Sequence, residues 1–145
     1  MKTINCERRF QFCCGHRVMN HESKCRNLHG HNYVAWVTCE APSLDSLGRV
    51  IDFSVIKTVV GDWIDSNWDH GFVLWATDHE AIQAVKAVED QKLHLMDANP
   101  TAENMAAYLM RVANIMLPEN IRCTQVKLFE TENCCATASQ KVSSQ

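Results

Sequence analysis

Residues 29–41 read HGHNYVAWVTCEA, and Pro42 follows. A run rich in Val, Thr, Tyr and Trp, bounded by the turn-like stretch PSLDSLG (42–48), predicts a β-strand. Strand side chains alternate, so His29, His31, Tyr33, Ala35 and Val37 share one face. Two imidazoles on one face can meet a single ion. Gly30 between them leaves the opposite face without a side chain, as close packing there would require.

Working outward, residues 3–13 alternate aromatic and polar residues and read as a first strand, followed by a Gly- and Asn-rich loop over 14–28. A helix is predicted over 53–67, where Val55, Ile56, Val59, Val60, Trp63 and Ile64 recur at three- and four-residue spacing behind Asp52 or Ser54 as cap. A short helix is expected over 79–89. A longer one starts after Thr101, with Glu103 in its first turn, and ends before Pro118. Its apolar stripe is Ala102, Met105, Ala106, Leu109, Val112, Ala113 and Met116. Strands are expected over 121–130 and near 134–138. The order predicts an α+β fold with an antiparallel sheet and helices on one face. The edges of such a sheet favour oligomerisation by strand pairing.

The 145 residues suit one domain. Residues 1–138 are assigned to it and the polar stretch 139–145 to a loose tail. No apolar run reaches the length of a membrane helix, and charges stand where a signal peptide would be apolar, so the cytoplasm is the expected location. The net charge of −3, with no basic patch, argues against a nucleic-acid partner. Eight cysteines contain no Cys-x-x-Cys pair, and most are expected to be reduced and buried.

The histidine pair needs a third ligand to make a catalytic-type zinc site with an open fourth position. His16 is the first candidate, because the first strand would run antiparallel to the second and bring its end near. His21 is the alternative. Cys25 can be a fourth ligand, a nucleophile, a base or one more buried thiol. A thiolate near a metal has a depressed pKa, which suits a base. Asp69 precedes His70, and a turn at Gly71 would let the carboxylate orient the imidazole; the other reading is an ordinary turn. Glu130 ends a strand, where a carboxylate can take two N–H groups from a guanidine-like edge or simply be solvated.

The blocks HR (16–17), CRNLHGHNY (25–33), IDF (51–53), DH (69–70), PTAEN (100–104) and ET (130–131) occur in one order over about residues 5–135. Together they resemble the 6-pyruvoyltetrahydropterin synthase / 6-carboxytetrahydropterin synthase family. The resemblance implies the tunnelling fold, a four-stranded antiparallel sheet with two helices on one side. It implies homo-oligomeric barrels with active sites between subunits. It implies a zinc ion held by His16, His29 and His31, with Cys25, Asp69 and His70 catalytic. Glu130 would anchor a pterin ring, and Thr101 and Glu103 would lie near its pocket. Three residues between Cys25 and His29 resemble the carboxy-forming branch, which feeds queuosine and other deazapurines. The implied reaction is conversion of 7,8-dihydroneopterin triphosphate to 6-carboxytetrahydropterin, acetaldehyde and triphosphate. A pyruvoyl-forming synthase and a non-catalytic pterin-binding protein are the alternatives. Arg17, Lys24 and Arg26 are offered as triphosphate partners. Two departures stand out: Cys14-Gly15 replaces the usual small pair, and the segment after His70 is unusual and long.

Overall fold

The computed structural model describes residues 2–140. Among the described residues, six strands form one sheet: β1 (Asn5–His16), β2 (His29–Glu40), β3 (Gly71–Trp75), β4 (Leu93–Met96), β5 (Arg122–Thr131) and β6 (Cys134–Ser139). Their order across the sheet is β4-β3-β1-β2-β5-β6. β1, β2, β5 and β6 are mutually antiparallel neighbours. β3 and β4 add in parallel beside β1. The expected four-stranded antiparallel sheet is thus the β1-β2-β5-β6 part of a six-stranded mixed one. GFVLW and LHLM carry no alternation to reveal them, because short runs of this kind read equally as buried helix.

β1 and β2 pair over twelve residues, from Asn5↔Glu40 to His16↔His29. β1 therefore extends beyond residue 13 into the expected loop. Gly15 faces Gly30 at the close of this ladder. A Cβ on Gly30 would lie 3.3 Å from the Cys14 carbonyl oxygen, and one on Gly15 only 2.5 Å from the Phe72 ring. Both positions are bare because backbone or ring already fills the space.

The helix over 53–67 forms as α1 (Phe53–Ile56), a π-helical stretch Lys57–Gly61, and α2 (Asp62–Asn67). Asp52 caps it, accepting from the Ser54 N–H at 2.9 Å. α3 (His79–Lys86) links β3 to β4, and α4 (Ala102–Met116) begins at the Thr101 cap. The main core joins Phe12, Tyr33, Ala35 and Val37 of the sheet to Ile56, Val60, Ile64 and Trp68, and to Met105, Ala106, Leu109 and Ala113 of α4. α3 packs elsewhere. Val73 joins the main core, whereas Leu74 packs with Ala81 and Val85 of α3. Successive strand residues face opposite sides, so α3 covers the other face of the sheet and not all helices share one.

Two expectations about burial change. Met116 is 45% exposed, and Leu117 closes the core instead. Only Cys14, Cys39 and Cys123 are buried; Cys6, Cys13 and Cys25 are half-buried, Cys134 and Cys135 are exposed, and all eight are free thiols. Ser139 lies within β6 and the Gln140 N–H bonds the Thr124 carbonyl at 2.9 Å; the remainder of the expected tail, 141–145, lies outside the described residues. No helix among the described residues is long and apolar enough to cross a membrane.

Asn114 ties α4 to β5. Its Oδ1 accepts from the Cys123 N–H at 2.8 Å, and its Nδ2 donates to the Cys123 and Met110 carbonyls at 3.0 and 3.1 Å. Asn114→Ala strands those backbone groups. It should cost about 2 kcal/mol, read as a lower urea midpoint with an unchanged slope.

Candidate metal centre and active site

The register of β1 on β2 builds the centre. His16 stands opposite His29, and His31 opposite Cys14, so all three histidines project from one face. Ring centroids are 4.6 Å apart for His16–His29, 5.1 Å for His16–His31 and 4.9 Å for His29–His31. One ring nitrogen from each lies within 4.8 Å of the others, a grouping that can hold a metal ion. His21, the alternative third ligand, is outside it; its Nδ1 accepts from the Ser23 N–H at 2.9 Å.

Backbone carbonyls set the tautomers. His16 Nδ1 is 2.7 Å from the Pro100 oxygen, and His29 Nδ1 is 2.6 Å from the Asn27 oxygen. A carbonyl only accepts, so each Nδ1 carries the proton and each Nε2 offers a lone pair. His16 Nε2 is buried and has no hydrogen-bond partner among the described residues. Such an orphan costs about 1–3 kcal/mol. A divalent ion would satisfy it, and carbonyl-oriented imidazoles are the usual supports of such an ion. The residues therefore fit a metal. Burial pushes the His16 pKa down to about 4, against the Pro100 hydrogen bond, and the His29 and His31 charges add to the fall. Burial also lowers His31, opposed by the Glu130 charge. Neutral imidazoles are the form that binds metal.

Glu130 follows Val126 and Leu128 on the strand face that also carries His31. The β5–β6 register shifts between Phe129 and Thr131, leaving Glu130 as the extra residue. The Glu130 carboxylate oxygen is 3.8 Å from His31 Nε2, and both side chains are partly accessible. Thr101 caps α4 by accepting from the Asn104 N–H at 3.1 Å, and Glu103 is exposed in the first turn. Thr101 directly follows Pro100, whose carbonyl holds His16, so the cap and the centre are fixed together.

Cys25 sits half-buried in the single turn Lys24–Arg26, with its carbonyl held by the Val18 N–H at 2.9 Å. The loop around it is pinned at Met19, whose backbone N–H and carbonyl both bond the Asn99 side chain, at 2.8 and 2.9 Å. Arg17 is not free for a phosphate. Its guanidinium forks onto the buried Asp78, with Nε–Oδ2 at 2.7 Å, and reaches Glu80 at 3.3 Å. Asp78 in turn caps α3 through the Ala81 N–H at 3.2 Å.

Asp69 and His70 do form a pair, with Oδ2–Nδ1 at 2.9 Å. The turn that permits it is at His70 itself, which takes a positive φ of 61°. Burial pushes the Asp69 carboxyl up, but the His70 and Cys13 N–H hydrogen bonds and the His70 and Lys92 charges outweigh it and hold it below the usual range. The pair groups with Cys13, an odd-numbered β1 residue, and so lies on the opposite sheet face from His16. One chain therefore does not gather all the expected site residues on one face. Sequence reasoning missed Cys13, the Pro100 carbonyl and the buried Tyr33 hydroxyl, which has no partner among the described residues and whose ring packs edge-on against those of His16 and His31. Only Tyr33 left a signal, its place on the histidine face.

An α+β chain with a mixed sheet and a three-histidine centre at the end of its central hairpin is the class these features define. The family model described as 6-pyruvoyl tetrahydropterin synthase matches residues 5–141. A 6-carboxy-5,6,7,8-tetrahydropterin synthase of Rickettsia typhi is 42% identical over 133 residues, 90% of this chain and 96% of the relative. Among solved structures, an uncharacterised protein of Wolinella succinogenes superposes with a TM-score of 0.80 at 21% identity, covering 97% of this chain and 100% of that one. A 6-pyruvoyl tetrahydropterin synthase of Caenorhabditis elegans gives 0.69 at 24% identity, over 97% and 98%. The chain belongs to the 6-pyruvoyl tetrahydropterin synthase family.

The buried imidazoles make stability depend on pH. His16, His31 and His94 all have folded pKa values lowered from 6.5. The unfolded chain takes up protons there before the folded one, so stability is full above about 6.5 and is lost as pH falls toward 4. Urea midpoints of the metal-free protein should drop steadily from pH 7 to pH 5. A flat profile would contradict the neutral buried histidines.

Proposed function

We propose that the protein is a zinc-dependent lyase that converts 7,8-dihydroneopterin triphosphate, with uptake of water, to 6-carboxy-5,6,7,8-tetrahydropterin, acetaldehyde and triphosphate. The observation that carries this reading is the His16–His29–His31 group with Glu130 3.8 Å from His31. The 42% identity to a 6-carboxytetrahydropterin synthase, and the Arg26, Asn27, Leu28 spacing, favour the carboxy-forming reaction. We assign it to the cytoplasm and to synthesis of queuosine and related deazapurines.

His16, His29 and His31 would hold one zinc ion per subunit. When bound, zinc lowers the pKa of hydroxyl groups and polarises carbonyls. Glu130 accepts the paired N–H groups of the amino-pyrimidine edge, which fixes the ring's rotation. Thr101 and Glu103, at the start of α4, border the ring pocket. Cys25 takes the carbon-bound proton of the substrate side chain. Asp69 holds the His70 Nδ1–H, leaving Nε2 to exchange protons with the substrate. Arg26 and Lys24, unlike Arg17, remain as candidate triphosphate partners.

The opposite-face placement of Asp69 and His70 supports a site completed by a second copy of the chain, in a homo-oligomer. Asp69–His70 of one subunit would then serve the histidine centre of its neighbour.

Mass spectrometry of the zinc-loaded protein with 7,8-dihydroneopterin triphosphate should show the 6-carboxy product and acetaldehyde. A 6-pyruvoyl product would move the chain to the pyruvoyl-forming branch, and binding without turnover would favour a pterin-binding protein. Cys25→Ala should bind substrate but lose turnover by about 10³-fold. Chains carrying Cys25→Ala and His70→Ala, inactive alone, should regain part of the turnover when co-expressed. No recovery would sink the shared site.

A further inference from the structure

Cys13, Asp69 and His70 are built into one unit by the backbone. The Cys13 N–H donates to Asp69 Oδ1 at 3.0 Å, and the His70 N–H donates to the Cys13 carbonyl at 2.7 Å. The three side chains converge as a result. Cys13 Sγ lies 3.9 Å from Asp69 Oδ1, Asp69 Oδ2 lies 2.9 Å from His70 Nδ1, and one donor atom from each residue falls within 4.8 Å of the others. The neighbouring sheet surface has a cavity of about 470 Å³, lined by Cys13, Gly15, Asn32, His70 and Phe72 among others. The glycines leave it open.

We propose that Cys13, Asp69 and His70 form a second metal site, selective for thiophilic divalent ions such as zinc or cadmium, whose occupation withdraws Asp69 and His70 from proton transfer. A thiolate, an imidazole and a carboxylate are a ligand set that zinc accepts, with water as a fourth ligand. At zinc bond lengths of about 2.0–2.3 Å, tetrahedral ligand atoms stand about 3.3–3.8 Å apart. One donor atom from each residue lies within 4.8 Å of the others, so side-chain rotations that draw them together seat an ion. The thiol gives the preference for soft ions over magnesium or calcium. His70 is held at φ 61°, a conformation uncommon for a side-chain-bearing residue. That conformation places its backbone N–H on Cys13 and its ring on Asp69 at once. The site lies on the other face of β1 from the three-histidine centre and shares no residue with it. The consequence for turnover rests on the assignment of Asp69 and His70 to proton transfer; the binding of the ion does not.

Equilibrium dialysis against buffered zinc, with the ions counted by mass spectrometry, separates the two. The native protein should hold about one ion more per chain than Cys13→Ala, and Asp69→Asn should resemble Cys13→Ala. Cobalt substitution should give a thiolate-to-metal absorption band in the native protein, with the Cys13-dependent part absent from the alanine variant. Alanine keeps the backbone N–H that bonds Asp69, so Cys13→Ala should fold and turn over normally. Excess zinc should inhibit the native protein and leave the variant's turnover unchanged. Equal ion counts and identical cobalt spectra in the two proteins overturn the site, whatever the substrate proves to be. Equal inhibition of both overturns the switch.

Discussion

The twelve-residue antiparallel register between β1 and β2 carries the rest of the molecule. A strand has a period of two, so each pairing fixes which face every side chain takes. Sliding β1 by one residue would move His16 to the Cys13 face and Phe12 out of the core. The hydrophobic pairing Phe12↔Tyr33, with rings stacked 5.2 Å apart, opposes that slip. Core packing and ligand placement are therefore one constraint. The same alternation that buries Phe12, Tyr33, Ala35 and Val37 aims His16, His29 and His31 together.

Around that hairpin, the elements act as clamps on particular atoms. α4 presents Pro100, at its entrance, to His16 Nδ1, and Asn114 bolts its far end to β5. β5 brings Glu130 to His31 by the same alternation that buries Val126 and Leu128. Asn99 holds the Met19 backbone, and Arg17 on Asp78 fastens the start of the same loop to α3. The loop bearing Cys25 thus hangs from two anchors outside the central sheet pairing. Its position depends on segments far away in sequence.

The legible part of this design is the part written in local periodicity. His29, His31 and Tyr33 follow from a two-residue repeat, and α4 from a cap and a stripe. The six motif blocks supplied the family and the expected roles. What stayed hidden was non-local. β3 and β4 lack alternation, so their parallel addition to β1 depends on tertiary pairing that no local pattern announces. Arg17 looked like a free cation because Asp78 is 61 residues away. Cys13 looked like one more small thiol, since its partner Asp69 is 56 residues on.

The segment after His70 forms β3, α3 and β4. β3 must leave α2 and enter parallel beside β1, and the chain reverses at Trp68–Gly71 to do so. Trp68 is fully buried, and the Asp69 and Trp68 N–H groups both bond the Ile64 carbonyl, which ends the helix tightly. His70 takes the left-handed conformation that completes the reversal. Lys92, just before β4, closes the corner by donating to the Asp65 and Asp69 carbonyls at 2.7 Å. The orientation of the Asp69–His70 pair is thus set by the strand that follows it. The geometry of that pair is inseparable from the two strands that enlarge the sheet.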